Sequence, residues 1–118
     1  MTATKHDTDK VRMELLSVDA LNAIAEVLTF GAKKYEDHNW RKGFDWSRLY
    51  GAAMRHLSAH MNGEDKDPET KLSHLAHAGC CLMFLIEHEK RGLGKDDRHT
   101  AIQEEYKIHI KELENNNG

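Results

Sequence analysis

Four histidines in this chain fall at helical spacings: His56 and His60 are four residues apart, and His74 and His77 three apart. Residues at those separations share one face of a helix. Imidazole ligates metals and titrates near neutrality. With Glu64, Asp65 and Asp67 in the turn between the pairs, the four rings make a metal- or anion-binding cluster on two adjoining helices. Each inward imidazole needs a hydrogen-bond partner or a ligand, so a packed core histidine accounts for one such residue more easily than for four. Imidazole nitrogens suit zinc, manganese, iron, cobalt or nickel better than magnesium.

The elements that must carry these residues can be read from periodicity. Asp45 or Ser47 caps a helix running to about Asn62, with Trp46, Leu49, Tyr50, Ala53 and Leu57 on its buried face. A second helix spans Asp67 to Arg91. Asp67 is its capping carboxylate, Pro68 suits its first position, and Gly92 stops it. Its middle, from Leu75 to Ile86, is apolar all round and should be covered on most sides. The short link Gly63 to Lys66 makes the two helices an antiparallel hairpin, which brings both histidine pairs to overlapping heights.

Around the hairpin, Ser17 or Asp19 caps a first helix with Leu21, Ile24, Ala25 and Leu28 on one stripe, ending or breaking at Gly31. Residues 31–43 read as a basic, partly irregular loop, and residues 93–99 as a linker. A last helix from about Thr100 to Glu114 puts Ile102, Tyr106, Ile110 and Leu113 on one stripe, before a disordered tail at 115–118. Of the remaining histidines, His6 falls in the N-terminal arm and His38 in the basic loop, while His88, His99 and His109 read as surface. The fold class is all-α.

The 118 residues fit one domain, with 39% hydrophobic residues for a modest core. A net charge of −3 lacks the basic excess of a tight nucleic-acid binder. The apolar run is too short to cross a bilayer. Cys80 and Cys81 are adjacent in an apolar helix, so they cannot form an ordinary bridge and point to a reducing compartment. No targeting segment is visible.

The stretch LTFGAKKYEDHNWRKG, followed by RHLSAHMNGEDKDPETKLSHLAHAGCCLMFL, resembles the phage-associated dATP/dGTP diphosphohydrolase family, and KHDTDKVRMELL resembles its opening segment. That family is similar in turn to MazG-type all-α nucleoside triphosphate pyrophosphohydrolases. The resemblance implies a purine deoxynucleoside triphosphate as substrate, cleaved to monophosphate and pyrophosphate with magnesium or manganese. His56, His60, His74 and His77 then replace the MazG-type carboxylates as metal ligands, with Glu64 or Asp67 assisting water. It also implies that Lys33, Lys34, Arg41 and Lys42 contact phosphates together with Arg55, that Trp40 stacks the base, and that Asn39 reads a base edge.

On this reading residues 1–92 form the nucleotide-binding domain, with 93–114 as its linker and last helix. A homo-oligomer, dimer or higher, in the cytoplasm of an infected bacterial host is expected. The rival expectation is a protein that binds a nucleotide signal and sequesters it uncleaved. A weaker third is an adaptor stabilised by one zinc ion.

Overall fold

A computed structural model describes residues 2–117, with side chains at 2–99, 104, 106–116. It is all helical: α1 spans Val18–Lys34, α2 Trp46–Met61, α3 His74–Arg91 and α4 Thr100–Asn117, with single 3-10 turns at Met13–Leu15 and Asn39–Lys42. No strand occurs among the described residues, and no helix there is long and apolar enough to cross a membrane. α3 packs against both α1 and α2. Trp46, at the start of α2, donates its indole N–H to Leu93 O beyond the end of α3 (2.9 Å), while His56 meets His74 at the other end. The two helices therefore run antiparallel. The buried apolar residues are Trp46, Leu49 and Ala53 of α2 and Ala76, Ala78 and Cys80 of α3.

The start of α3 differs from the expected one by seven residues. Asp67 does cap, but Oδ1 accepts from the backbone of Glu69 (2.8 Å) and Thr70 (3.0 Å) in a local turn. Lys71 then takes a left-handed backbone, φ 64°, which no α-helix continues. Ser73 restarts the chain as N-cap, its Oγ accepting from Leu75 and Ala76. The connection between α2 and α3 is thus residues 62–73, longer than the four-residue link the sequence suggests. Gly92 ends α3 in the left-handed region as expected.

Other boundaries also move. α1 passes through Gly31 to Lys34, and Ser17 is the residue that caps it. At the start of α2 the Asp45 side chain makes no capping bond. The cap comes from far along the chain: both carboxylate oxygens of Asp97 accept from Ser47, one from its N–H and one from its hydroxyl. Residues 93–97 are therefore a latch on the entry to α2, where Trp46 N–H also donates to Lys95 O (2.9 Å). His88, expected at the surface, is 0% exposed. It donates from Nδ1 to Phe84 O (2.7 Å) and accepts the Phe44 N–H at Nε2 (3.1 Å), so both ring nitrogens are satisfied.

Two helix faces are barer than expected. Tyr50 and Leu57 of α2 are exposed, and so are Leu75, Leu82 and Ile86 of α3, so the apolar helix is covered on two sides only. On α4, Tyr106 and Leu113 are exposed and Ile110 is half-buried. The side chain of Ile102 lies outside the described residues. Residues 115–117, expected as a disordered tail, continue the helix.

Candidate functional site

Two ligand-bearing elements meet where the end of α2 faces the start of α3. His56 Nδ1 and His74 Nδ1 stand 2.9 Å apart. Asp67 Oδ2, brought in by its turn, lies 4.0 Å from His56 Nδ1. The three ligand atoms lie within 4.8 Å of one another, with His74 buried and the other two half-buried. On the far side of the His74 ring, Nε2 is 2.6 Å from Glu64 Oε1. A carboxylate oxygen accepts, so the His74 proton sits on Nε2 and its Nδ1 lone pair faces His56. A carboxylate behind a histidine is the usual support of a metal ligand.

The four imidazoles do not close on one point. His77 stacks on His56, with ring centroids 4.5 Å apart and planes 9° from parallel, and its Nε2 lies 2.7 Å from Thr70 Oγ1. It holds the His56 ring flat and ties it to the Asp67 turn. His60 stands at the rim, its Nε2 3.9 Å from Asp65 Oδ1. Spacing alone pairs His60 with His56. It gives no sign that the 67–73 turn brings Asp67 in beside the rings, because the turn depends on the Lys71 backbone.

Charge at the site follows from burial and hydrogen bonding. Partial burial pushes the His56 pKa below its ordinary value, with further lowering by His77 and His74 and an opposing pull from Asp67. Burial also lowers His77, again against Asp67. For Asp67 burial works upward, but the N–H donors of Thr70 and Glu69 win and the carboxyl is held below its ordinary value. A neutral imidazole beside an ionised carboxylate is the state a cation takes up. Burial pushes the Cys80 thiol up to about 12 and raises Cys81 as well, so both cysteines are packing residues.

The same shifts set a pH dependence of stability. An unfolded chain protonates these histidines near the ordinary value of 6.5, while the folded chain resists until lower pH. Between those points the unfolded state binds more protons, so stability falls as pH drops below about 6.5. Asp67 adds a further loss once pH falls below its ordinary 3.8. Thermal melting followed by circular dichroism should give a Tm several degrees lower near pH 5 than near pH 7.5. A His56→Gln, His77→Gln chain should show a flatter profile.

Four of the seven residues expected at a nucleotide line two neighbouring hollows. One, of about 590 Å³, is walled by Leu28, Cys80, Met83 and Phe84 and rimmed by Asn39, Trp40 and Arg41. Trp40 already stacks on Phe84 (centroids 4.9 Å), with the Arg41 guanidinium 5.3 Å from its ring. It serves as a wall of the hollow. The second, about 540 Å³ and more open, lies between α1 and the Asp67 turn and is lined by Lys33, Thr70 and Leu72. Thr29 lines both. Lys34 is paired with Glu69 (3.3 Å) and Lys42 with Glu36 (3.0 Å), while Arg55 lies on the exposed side of α2.

The model of the family described as dATP/dGTP diphosphohydrolase, N-terminal, matches residues 1–98. A curated protein of Salmonella phage PMBT28 named dATP/dGTP diphosphohydrolase is 36% identical over 101 residues, covering 86% of this chain and 34% of that protein. The chain thus spans about a third of the length of the curated relative it matches. No solved structure matches. With the family model covering residues from the N-terminal arm through the latch at 93–97, the chain belongs to the dATP/dGTP diphosphohydrolase N-terminal family.

Proposed function

We propose that this chain binds a purine deoxynucleoside triphosphate and takes part in its hydrolysis to monophosphate and pyrophosphate, with a divalent cation held by His56, His74 and Asp67. One observation carries the reading: two imidazole nitrogens face each other at 2.9 Å beside an ionised carboxylate. Nitrogen ligands about 2.0–2.1 Å from one ion lie roughly 3 to 3.4 Å apart, so the pair is close to a chelating separation. The donor set of two nitrogens and one oxygen fits zinc, manganese, cobalt, nickel or iron. Magnesium, which prefers oxygen, fits it less well. A cation there would neutralise triphosphate charge and polarise a phosphoryl oxygen.

The chain's own groups divide the remaining work. Glu64 fixes the His74 tautomer, and because it is half exposed its carboxylate also stands within reach of water. Asp67 keeps Oδ1 on the backbone and turns Oδ2 toward His56. His77 is the plate that orients His56. The apolar hollow beside Asn39, Trp40 and Arg41 takes the base, and Lys33 in the adjoining hollow meets the phosphates. Thr70, which lines that second hollow, donates its N–H to Asp67, so the hollow reaches the cluster through one residue.

A second reading, a binding module without turnover, is favoured by the presence of a single carboxylate in the cluster. Incubating the chain with each deoxynucleoside triphosphate and a panel of divalent cations, then resolving products by chromatography, separates the two. Deoxynucleoside monophosphate and pyrophosphate from dATP or dGTP support hydrolysis. Tight binding with intact nucleotide recovered after denaturation supports the binding module, and neither binding nor turnover contradicts both.

A further inference from the structure

Among the described residues, the only polar side-chain contact from α1 to the turn that carries Asp67 is the ion pair of Lys34 Nζ with Glu69 Oε1, at 3.3 Å. Lys34 is the last residue of α1, and its neighbour Lys33 lines the hollow between the two elements. Glu69 stands between Asp67 and Thr70, and Thr70 lines the same hollow from the opposite wall. The Lys34 ammonium also lies 5.5 Å from the centre of the Tyr35 ring, which lines the other, apolar hollow. The pair therefore bridges the two walls where the hollows adjoin.

The pair is easily exchanged for another. Its side chains are 51% and 71% exposed, and an ion pair so open to water adds little to the fold. Glu69 still acts on its partner: its hydrogen bond and its charge raise the Lys34 pKa, so the ammonium stays charged. A triphosphate entering the hollow brings more negative charge than one carboxylate, and an ammonium binds phosphate as a point charge. It takes the lysine and leaves Glu69 without a partner.

Glu69 is then placed beside the candidate ligands. Its N–H donates to Asp67 Oδ1 (2.8 Å), and the next residue, Thr70, has its hydroxyl 2.7 Å from His77 Nε2. Its charge is felt within the cluster: burial lowers the His77 pKa against the pull of Asp67 and, less strongly, of Glu69. A bare carboxylate next to a triphosphate is repelled unless a cation stands between them. The cluster offers a cation only one carboxylate. A second would add an oxygen donor and a negative charge.

We infer that the Lys34–Glu69 pair is a clasp exchanged by substrate: the triphosphate takes Lys34, and the released Glu69 turns its carboxylate to the cation held by His56, His74 and Asp67. Side-chain rotation suffices for this, and no backbone bond of the turn has to break. Glu69 thereby joins the cation and phosphate sites of the proposed function, on which its role depends. Before nucleotide arrives, the clasp keeps the second carboxylate occupied and the cluster weak for cations. With nucleotide bound, cation and nucleotide strengthen each other by the same factor.

Calorimetric titration with Mn²⁺ tests the exchange, with and without the α,β-methylene analogues of dATP and dGTP, which cannot be cleaved between those phosphates. In the nucleotide-free chain Lys34→Met should free Glu69 and raise Mn²⁺ affinity about 5-fold or more, a gain that vanishes when Glu69→Gln is added. Lys71→Gln removes the same charge from the turn itself and should change affinity by less than about 3-fold. Glu69→Gln alone should leave nucleotide-free affinity within about 3-fold of wild type, yet cut the rise brought by the analogue about 10-fold. All three positions are exposed, so the helices should persist by circular dichroism. No gain in Lys34→Met, a gain that persists without Glu69, or an undiminished rise in Glu69→Gln overturns the exchange while leaving the proposed function standing. A wild-type chain that binds neither analogue, or no Mn²⁺, overturns the proposed function and the exchange with it.

Discussion

A His74→Ala chain is expected to lose cation uptake and, with it, any cation-supported turnover, by about 100-fold or more, since it removes a ligand and releases its supporting carboxylate together. His74 is the buried member of the cluster, bonded on one side to His56 and on the other to Glu64. Glu64→Gln should weaken cation affinity by roughly 10- to 100-fold while leaving all three ligands in place. His60→Ala should change affinity by less than about 3-fold, because His60 faces Asp65 at the rim. Calorimetric titration with Mn²⁺ or Zn²⁺ distinguishes the three, with circular dichroism checking that the helices persist. A His60→Ala loss as large as that of His74→Ala would restore the four-histidine arrangement expected from spacing.

Gly94→Ala should be the most damaging conservative change in the fold. The backbone there has φ 63°, and an added Cβ would land 1.9 Å from Phe44 O. The obstacle is backbone, so the latch would have to move as a unit. That releases the Lys95 bonds to residues 44 and 46, the Trp46 indole bond to Leu93 and the Asp97 cap on α2. A loss of about 3 kcal/mol or more follows from the clash and the backbone strain together, a fall in Tm on the order of 10 °C. Gly63→Ala is the control. It has φ 98° but nothing within 4 Å of the added carbon, so it feels the strain without the clash and should cost about 1 kcal/mol. Equal losses in the two variants would show that the latch contributes little.

Periodicity carried the fold a long way. The Gly92 stop and the cap at Ser17, one of the two candidates Ser17 and Asp19, express local physics. His56 and His74 were also legible as a pair, because hairpin geometry brings i, i+4 and i, i+3 histidines to the same height. What failed were features fixed by partners distant in sequence. Asp45 has the right residue type and position for a cap, yet Asp97 makes the bonds. His88 reads as polar surface until Phe44 N–H is seen on its ring. Asp67-Pro68 is a sound helix-start signal, but Lys71 in the left-handed region delays the helix and converts a cap into a candidate ligand. Tyr50 and Leu57 have core chemistry yet are exposed among the described residues, which hydrophobic pattern alone cannot reveal.

Direct titration of the wild-type chain with Mn²⁺ or Zn²⁺ is the simplest test of a single cation site formed by His56, His74 and Asp67. The expected result is one cation per chain, with affinity holding through the ordinary histidine value of 6.5 and falling only at lower pH, where the partly buried His56 at last takes a proton, and lost when His56 and His74 are both replaced by alanine. No uptake at about millimolar cation, or uptake unchanged in that double variant, would contradict it.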